Sequence, residues 1–193
     1  MARYDSGMTE TRAYHHGDLR RALLAAAVEA IEEVGPAALS LRDLARRAGV
    51  SHAAPAHHFG DKAGLLTALA AQGFDLLAQA LVRAGDDMLA AGVAYVDFAV
   101  QRRAHFEVMF RPELYRADDA ELVAAQGQAR AALRAGVGAL PARGAPADAD
   151  RDSLAAWSIA HGFATLWLAG ALPDRVGDDP RVAARAVLRR LVN

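Results

Sequence analysis

Gly49 stands between two short stretches that each repeat apolar residues at helical spacing, and no other feature constrains the chain as tightly. Leu41, Leu44, Ala45 and Ala48 recur at i, i+3, i+4 and i+7, the signature of one buried stripe on a helix that opens at Ser40. Ser40 is expected to be its N-cap, its hydroxyl accepting a first-turn amide. A glycine at the far end allows the positive φ that stops a helix without strain. Val50 is then expected to enter the core and Ser51 to open a second helix running from His52 to Phe59. Pro55 decides the capping of that helix. With Ser51 as cap the proline would remove the first intrahelical bond; with His52 as cap it falls harmlessly in the first turn. The second arrangement, or a 3₁₀ first turn, is expected. Gly60-Asp61 breaks the chain again, and Asp61 caps a helix that carries Leu65, Leu66 and Leu69. Two short helices around a glycine turn match a helix-turn-helix, whose second helix enters the DNA major groove. A plain αα corner is the alternative.

The rest of the chain is also helical by periodicity, and no stretch alternates with period two long enough to suggest a strand. An all-α fold of about nine helices is expected, an N-terminal three-helix domain at 13–62 and a larger helical domain at 63–193. The first helix is expected over Asp18–Val34, with Leu19, Leu23, Ala27, Ile31 and Val34 near one face, after a mobile tail at Met1–Thr11. The fourth spans Lys62 to about Arg83 and joins the domains. Further helices are expected at Met88–Arg103, His105–Arg111, Asp119–Leu140, Asp152–Ala171 and Pro180–Leu191, with Asp179 as the last cap. Pro141–Asp150 reads as the most flexible internal loop.

Composition excludes several classes. Hydrophobic residues make up 53% of the 193, too many for a disordered chain. The absence of cysteine removes disulfides, thiolate zinc sites and cysteine nucleophiles. No apolar run reaches membrane-spanning length by this reading and Met1–Leu19 is polar, so a cytoplasmic protein with neither signal peptide nor membrane anchor is expected. The net charge of −1 offers no bulk basic field, so any nucleic-acid surface must concentrate its charge locally. Lys62 is the lone lysine, and five of the seven histidines lie within the first 62 residues.

Tyr14-His-His-Gly-Asp-Leu-Arg20, Leu23–Ala27, Gly35, Leu39–Ala45, Ala48–Pro55 and His58-Phe-Gly-Asp-Lys62 together resemble the TetR family of bacterial one-component regulators. Ala156-Trp-Ser-Ile-Ala-His-Gly162 resembles the Trp-His-Gly element of one subgroup of its C-terminal domains. The resemblance implies three DNA-binding helices, about six more for ligand binding and dimerisation, and homodimeric repressors released from DNA by a small molecule. The chain departs from the family pattern at Ala56, where an aromatic residue, usually tyrosine, commonly precedes the phenylalanine by three. A phosphate-contacting hydroxyl is absent there, which bears on affinity and not on location.

Candidate DNA contacts follow from the helix-turn-helix reading. Arg42 lies opposite the buried stripe and matches by position an arginine that often reaches DNA in the family; the plainer reading is a solvated arginine. Arg46 and Arg47 are weaker candidates, since paired charges usually just wet a helix face. Ser51, His52 and Ala53 open the recognition helix; His52 can meet a base edge, or serve only as a cap, and alanine methyls can meet thymine methyls. His57 and His58 can donate to phosphate, although His58 can instead brace the turn. Lys62 is the leading phosphate candidate, because the first turn of its helix adds free amides. Arg12 and Tyr14 could reach the flanking backbone or the minor groove. With so much of this charge carried by histidine, DNA affinity is expected to rise as pH falls toward 6. Adjacent histidines do not share a helix face, so no metal site is expected.

The C-terminal domain offers an aromatic set: Tyr95, Phe98, Phe106, Met109 and Phe110, with Trp157, His161 and Thr165 spaced four apart. Such a set suits a mostly apolar pocket with a few polar groups, and Phe74 from the fourth helix is expected to join it; ordinary core is the alternative. Ala155, Ile159, Gly162, Leu166 and Ala169, with Val182, Ala183, Ala186, Val187 and Leu191, are expected to form a four-helix dimer interface. These features favour a ligand-responsive, DNA-binding homodimer on a palindromic operator, with a small apolar or aromatic effector and no cofactor. An enzyme finds no catalytic set here. A protein-binding adaptor that has lost DNA affinity is the remaining rival.

Overall fold

The computed structural model describes the backbone of residues 8–138 and 146–192 and the side chains of 19–136 and 150–190. Among these the regular structure is helical throughout, with no strand: α1 (Met8–Ala38), α2 (Leu41–Arg47), α3 (Ala54–Phe59), α4 (Lys62–Ala84), α5 (Met88–Gln101), α6 (Arg103–Met109), α7 (Ala120–Gly138), α8 (Pro146–Leu168) and α9 (Pro180–Val192), with 3₁₀ turns at Pro112–Leu114 and Asp174–Val176.

Helices α1 to α3 and the start of α4 form a compact head. Leu23, Ala27, Ile31, Leu44, Phe59 and Leu65 are all buried at its centre. Helix α1 starts at Met8, well before Asp18, so the end of the expected tail is helical; residues 1–7 lie outside the described part. Gly35 (φ 75°, ψ 163°) interrupts the helix, and Val34, expected inside, is 54% exposed just before that kink. Helix α2 ends as its glycine demands. Gly49 takes φ 66°, its amide donates to the Arg46 carbonyl, and the Val50 amide donates to the Ala45 carbonyl. This is the double bond pattern of a Schellman cap. Val50 packs against the core while staying half-buried.

One capping expectation fails, and the other holds only in its alternative form, a 3₁₀-type turn before the helix. Ser40 stands at the N-cap of α2 with extended backbone, but its side chain makes no capping bond. Asp43 in the first turn and Arg46 and Arg47 in the last suit the helix dipole instead. For α3 the cap is Ala53, not His52 or Ser51, and the Ser51 carbonyl accepts the Ala54 amide in a preceding turn. Pro55 is still in the first turn, where its missing amide hydrogen costs nothing. Asp61 caps α4 as expected, its carboxylate accepting the Gly64 amide at 2.8 Å.

In the larger body α4 is the central beam. It packs on α5, α6 and α7; α8 lies on α5 and α7, and α9 on α5. By length and composition α4 is apolar enough to cross a membrane, which corrects the reading of the apolar runs. Its Gln72 and Asp75 interrupt the run without lowering its mean hydropathy enough. Burial explains its character: 61% of its most apolar window is covered by other helices. Helix α8 begins at Pro146, earlier than Asp152, so the expected loop is shorter; residues 139–145 lie outside the described part. Asp179 caps α9, accepting the Arg181 amide at 2.8 Å.

Candidate functional site

The turn and α3 present a two-sided element. Pro55 and Phe59 are buried, and Arg20 of α1 lies over the Phe59 ring at 5.5 Å. Ser51, His52, Ala53, Ala56 and His57 are exposed, as is Arg42 on α2. His58 is half-buried; its ring lies 5.6 Å from that of His57 and 6.3 Å from that of Phe59. Five of the seven candidate DNA contacts, Arg42, Ser51, His52, Ala53 and His57, are thus exposed on α2, the turn and α3, with His58 half-buried. Lys62, the seventh, is tied to the fold: its Nζ donates to the Ala37 carbonyl at 2.6 Å and bolts the start of α4 to the end of α1. The side chains of Arg12 and Tyr14 lie outside the described part.

Arg46 and Arg47 are committed elsewhere. Both bind the Asp43 carboxylate, at 2.6 and 2.7 Å, and Arg47 also reaches Glu33 of α1 at 2.7 Å. Arg47 holds the Glu33 and Asp43 carboxyls below the usual range, and its own pKa is pushed up in return. Arg47 braces α2 against α1, while Arg46 pairs within α2.

A second site opens in the body. A cavity of about 520 Å³ is bounded by α4, α5, α6, α7 and α8. Phe74, Tyr95, Met109, Phe110 and Trp157 line it, five of the eight candidate ligand residues. The cavity falls within the ordinary range for small-molecule sites. His161 stands one layer behind. The Trp157 Nε1–H donates to Tyr95 Oη at 3.1 Å, and the Tyr95 hydroxyl lies 3.0 Å from His161 Nδ1. The indole N–H occupies an acceptor site on the phenol oxygen, so the tyrosine proton is available to Nδ1 of a neutral His161. Burial pushes the Tyr95 pKa up and the His161 pKa down, which favours that neutral pair. The His161 ring packs on Phe110 at 4.5 Å and Phe106 at 5.2 Å.

Two candidates lie elsewhere. Thr165 is exposed. A step of four residues overshoots the helical turn by about 40°, so two steps from Trp157 rotate it off the inner face. Phe98 points to a different cleft, of about 420 Å³ between α4, α5 and α9, beside Arg83, Arg102, Arg181 and Arg185. Sequence reasoning missed the α7 wall: Gln126, Ala129, Arg130, Leu133 and Arg134. Their i, i+3, i+4, i+7, i+8 spacing was the available signal, with arginines inside an apolar stripe as its anomaly.

Among the described residues, head and body meet through few polar contacts. Arg116, which follows the cavity-lining Pro112 and Tyr115, donates from Nη2 to the Asp61 carboxylate at 2.9 Å and from its backbone amide to Thr67 Oγ1 at 3.0 Å. The Gly64 amide and then Arg116 hold the Asp61 carboxyl below its ordinary range. Arg20 reaches Glu121 of α7 at 3.7 Å.

Comparison with known proteins agrees with this architecture. Residues 23–69 match the family model described as bacterial regulatory proteins, tetR family, and residues 88–191 match the model of a tetracyclin repressor-like C-terminal domain. A solved protein of unknown function from Rhodococcus sp. RHA1 is 38% identical, aligned over 93% of this chain and 96% of that one, with a TM-score of 0.76. A bacterial regulatory protein in the tetR family, also from Rhodococcus RHA1, shares the fold with a TM-score of 0.70 over 90% of this chain and 95% of its own, at 21% identity. The HTH-type transcriptional regulator BetI of Stenotrophomonas maltophilia (strain R551-3) is 40% identical over 72 residues; the match spans 35% of this chain and only 37% of that protein. The head matches one family model and more than half of the chain matches the other, and on that ground this chain belongs to the tetR family of bacterial regulatory proteins.

Proposed function

We propose that the chain is a ligand-responsive transcriptional repressor, binding a palindromic operator as a homodimer and released by a small, mostly apolar or aromatic effector. In this reading residues 13–62 bind DNA and 63–193 bind ligand and dimerise, in the cytoplasm, without catalysis, cofactor or membrane. The observation that carries it is the polarity of α3: Pro55 and Phe59 anchor it while Ser51, His52, Ala53 and His57 stay exposed. Arg42 and His58 flank that edge. Lys62 contributes through its position in the first turn of α4, with its ammonium partly engaged by Ala37. The Trp157–His161–Gly162 element is assigned to the Trp-His-Gly subgroup, with His161 ordering Tyr95 and Trp157 at the cavity wall.

The proposed dimer face lies on α8 and α9. Ala155, Leu166, Ala169, Val182, Ala186 and Val187 are exposed in the single chain, Ile159 and Gly162 half-exposed. Ala183 is buried within the chain and leaves the expected interface; the Leu191 side chain lies outside the described part. Two such faces pack as a four-helix bundle and set the recognition helices about 34–36 Å apart, one DNA turn.

Fluorescence polarisation with the chain's own upstream region tests the reading. Saturable binding that weakens steeply with salt is expected, because phosphate contacts release counterions. Affinity should also rise between pH 8 and pH 6 as imidazoles facing phosphate gain protons. No binding at low salt would favour the adaptor reading, to which Ala56 points. Sedimentation of the Leu166→Asp variant tests the dimer: a shift to monomer is expected, and an unchanged mass counts against this face.

A further inference from the structure

Resting on the reading of the cavity as an effector site, the charges of its rim define the chemistry of the effector further. We infer that the cavity takes an amphipathic acid: an apolar or aromatic body inside, with a carboxylate held by Arg130.

Among the described residues three ionised groups line the cavity, Arg130 and Arg134 of α7 and Asp150 of α8. They are not equivalent. Arg134 donates to the Asp150 carboxylate at 2.7 Å, and the pair neutralises itself. Arg130 has no ion-pair or hydrogen-bond partner among the described residues. It lines the cavity and is exposed, so its guanidinium belongs to the rim, in contact with both the apolar interior and water. Among the described residues the lining thus carries one unmatched positive charge and no unmatched negative one. A cationic ligand would find the described carboxylate already occupied and an arginine opposing it. A neutral ligand would fill the aromatic interior and leave Arg130 unused. A carboxylate satisfies the guanidinium through two parallel N–H donors, a geometry a planar fork suits better than an ammonium would. Because the rim is wet, the gain is moderate and sets selectivity, while burial of the body against Phe74, Phe110 and Trp157 supplies most of the affinity.

The experiment is calorimetric titration of the full-length protein, without DNA, against two matched series. One is decanoate, decanamide and decylammonium; the other is 1-naphthaleneacetate and its amide. The acids are expected to bind at least tenfold more tightly than the amides, and decylammonium more weakly than decanamide. In the Arg130→Gln variant the acid-to-amide ratio falls to about 1 while amide affinity stays within about twofold, which also shows that the variant is folded. Asp150→Asn, which frees Arg134, raises acid affinity. Equal binding of acid and amide, tighter binding of the cation, a preserved preference in Arg130→Gln, or no binding of either acid at millimolar concentration overturns the inference. The regulatory reading fails separately. Acid-selective binding that leaves a DNA complex intact supports the ligand class and refutes effector control; release of DNA by amides as readily as by acids does the reverse.

Discussion

The head and the body of this protein are built on opposite plans. In the head, Leu23, Leu44 and Leu65 are completely buried, and its cations are largely committed: Arg47 to Glu33 and Asp43, Lys62 to the Ala37 carbonyl. In the body, Phe110, Tyr115, Leu133 and Trp157 are only half-buried, because they face a space of about 520 Å³. A close-packed unit moves as a block, since dense interiors transmit strain and do not absorb it. A hollow unit can change shape when its space is filled. The difference fits the two roles proposed above, a head that holds a rigid element and a body whose shape answers to what fills it.

The largest test of this contrast is a pair of truncations. Leu44→Ala in the head removes a fully enclosed side chain and should cost about 3–5 kcal/mol, with loss of DNA binding. Leu77→Ala on the cavity wall removes one that already borders empty space and should cost only about 2 kcal/mol. Urea denaturation of both variants reads the two costs; equal values would erase the distinction between solid and hollow. A glycine pair sharpens it. A Cβ on Gly64 would lie 1.9 Å from the Phe59 carbonyl oxygen, so Gly64→Ala must push α3 away from α4, costing about 3 kcal/mol. On α7, a Cβ on Gly127 meets nothing within 4 Å, and Gly127→Ala should stabilise by about 0.5–1 kcal/mol through helix propensity.

Why some of this was legible in the sequence and some was not has a physical explanation. The turn at Gly49, the Asp61 and Asp179 caps and the apolar stripe of α2 are local, each specified by a few neighbouring residues, and they appear where the pattern put them. The cap of α3 slipped from His52 to Ala53 because Pro55 fits any first-turn position, so the sequence constrains it only loosely. Thr165 fell outside the cavity because a four-residue spacing drifts around a helix. Arg130 and Arg134 were invisible for a different reason. On one helix both look like solvated surface charges, and only the arrival of Asp150 from α8 separates the paired one from the other.

Acid should act on the two regions differently. His105 of α6 is buried, its Nε2 within 3.0 Å of Gln72 Oε1 and its Nδ1 without a partner. Burial, aided by the charge of Arg102, lowers its pKa to about 4. The unfolded chain takes up that proton near pH 6.5 and the folded chain resists it, so the unfolded state binds more protons between about 6.5 and 4. Stability from this group is therefore complete above pH 6.5 and declines as pH falls toward 4, by about 2–3 kcal/mol. Denaturant midpoints at intervals of half a pH unit should show the decline. His105→Gln should flatten that part of the profile, whatever its stability at pH 7. DNA affinity, by contrast, is expected to rise on the first part of the same descent.

The smallest effect concerns the joint between the two plans, and it is the most specific to mechanism. Arg116 leaves the cavity wall beside Tyr115 and reaches back to Asp61, the residue that ends the recognition segment and caps α4. Its side chain and its backbone amide hold different partners, so Arg116→Ala removes the link to Asp61 and leaves the amide bond to Thr67 in place. Asp61 keeps its Gly64 amide in that variant, so the cap survives and the melting temperature should move by no more than about 2 °C. The link from Arg20 to Glu121, at 3.7 Å and exposed, is too weak to substitute. If occupancy of the cavity reaches the head through this clasp, ligand affinity and DNA affinity measured separately should each change less than about twofold. The factor by which ligand weakens DNA binding should fall about fivefold, a loss of coupling and not of either site. Polarisation titrations at zero and saturating ligand, with wild type and variant in parallel, measure that factor. An unchanged factor would mean that displacement travels along α4 itself, and that the hollow body drives the solid head through their shared helix alone.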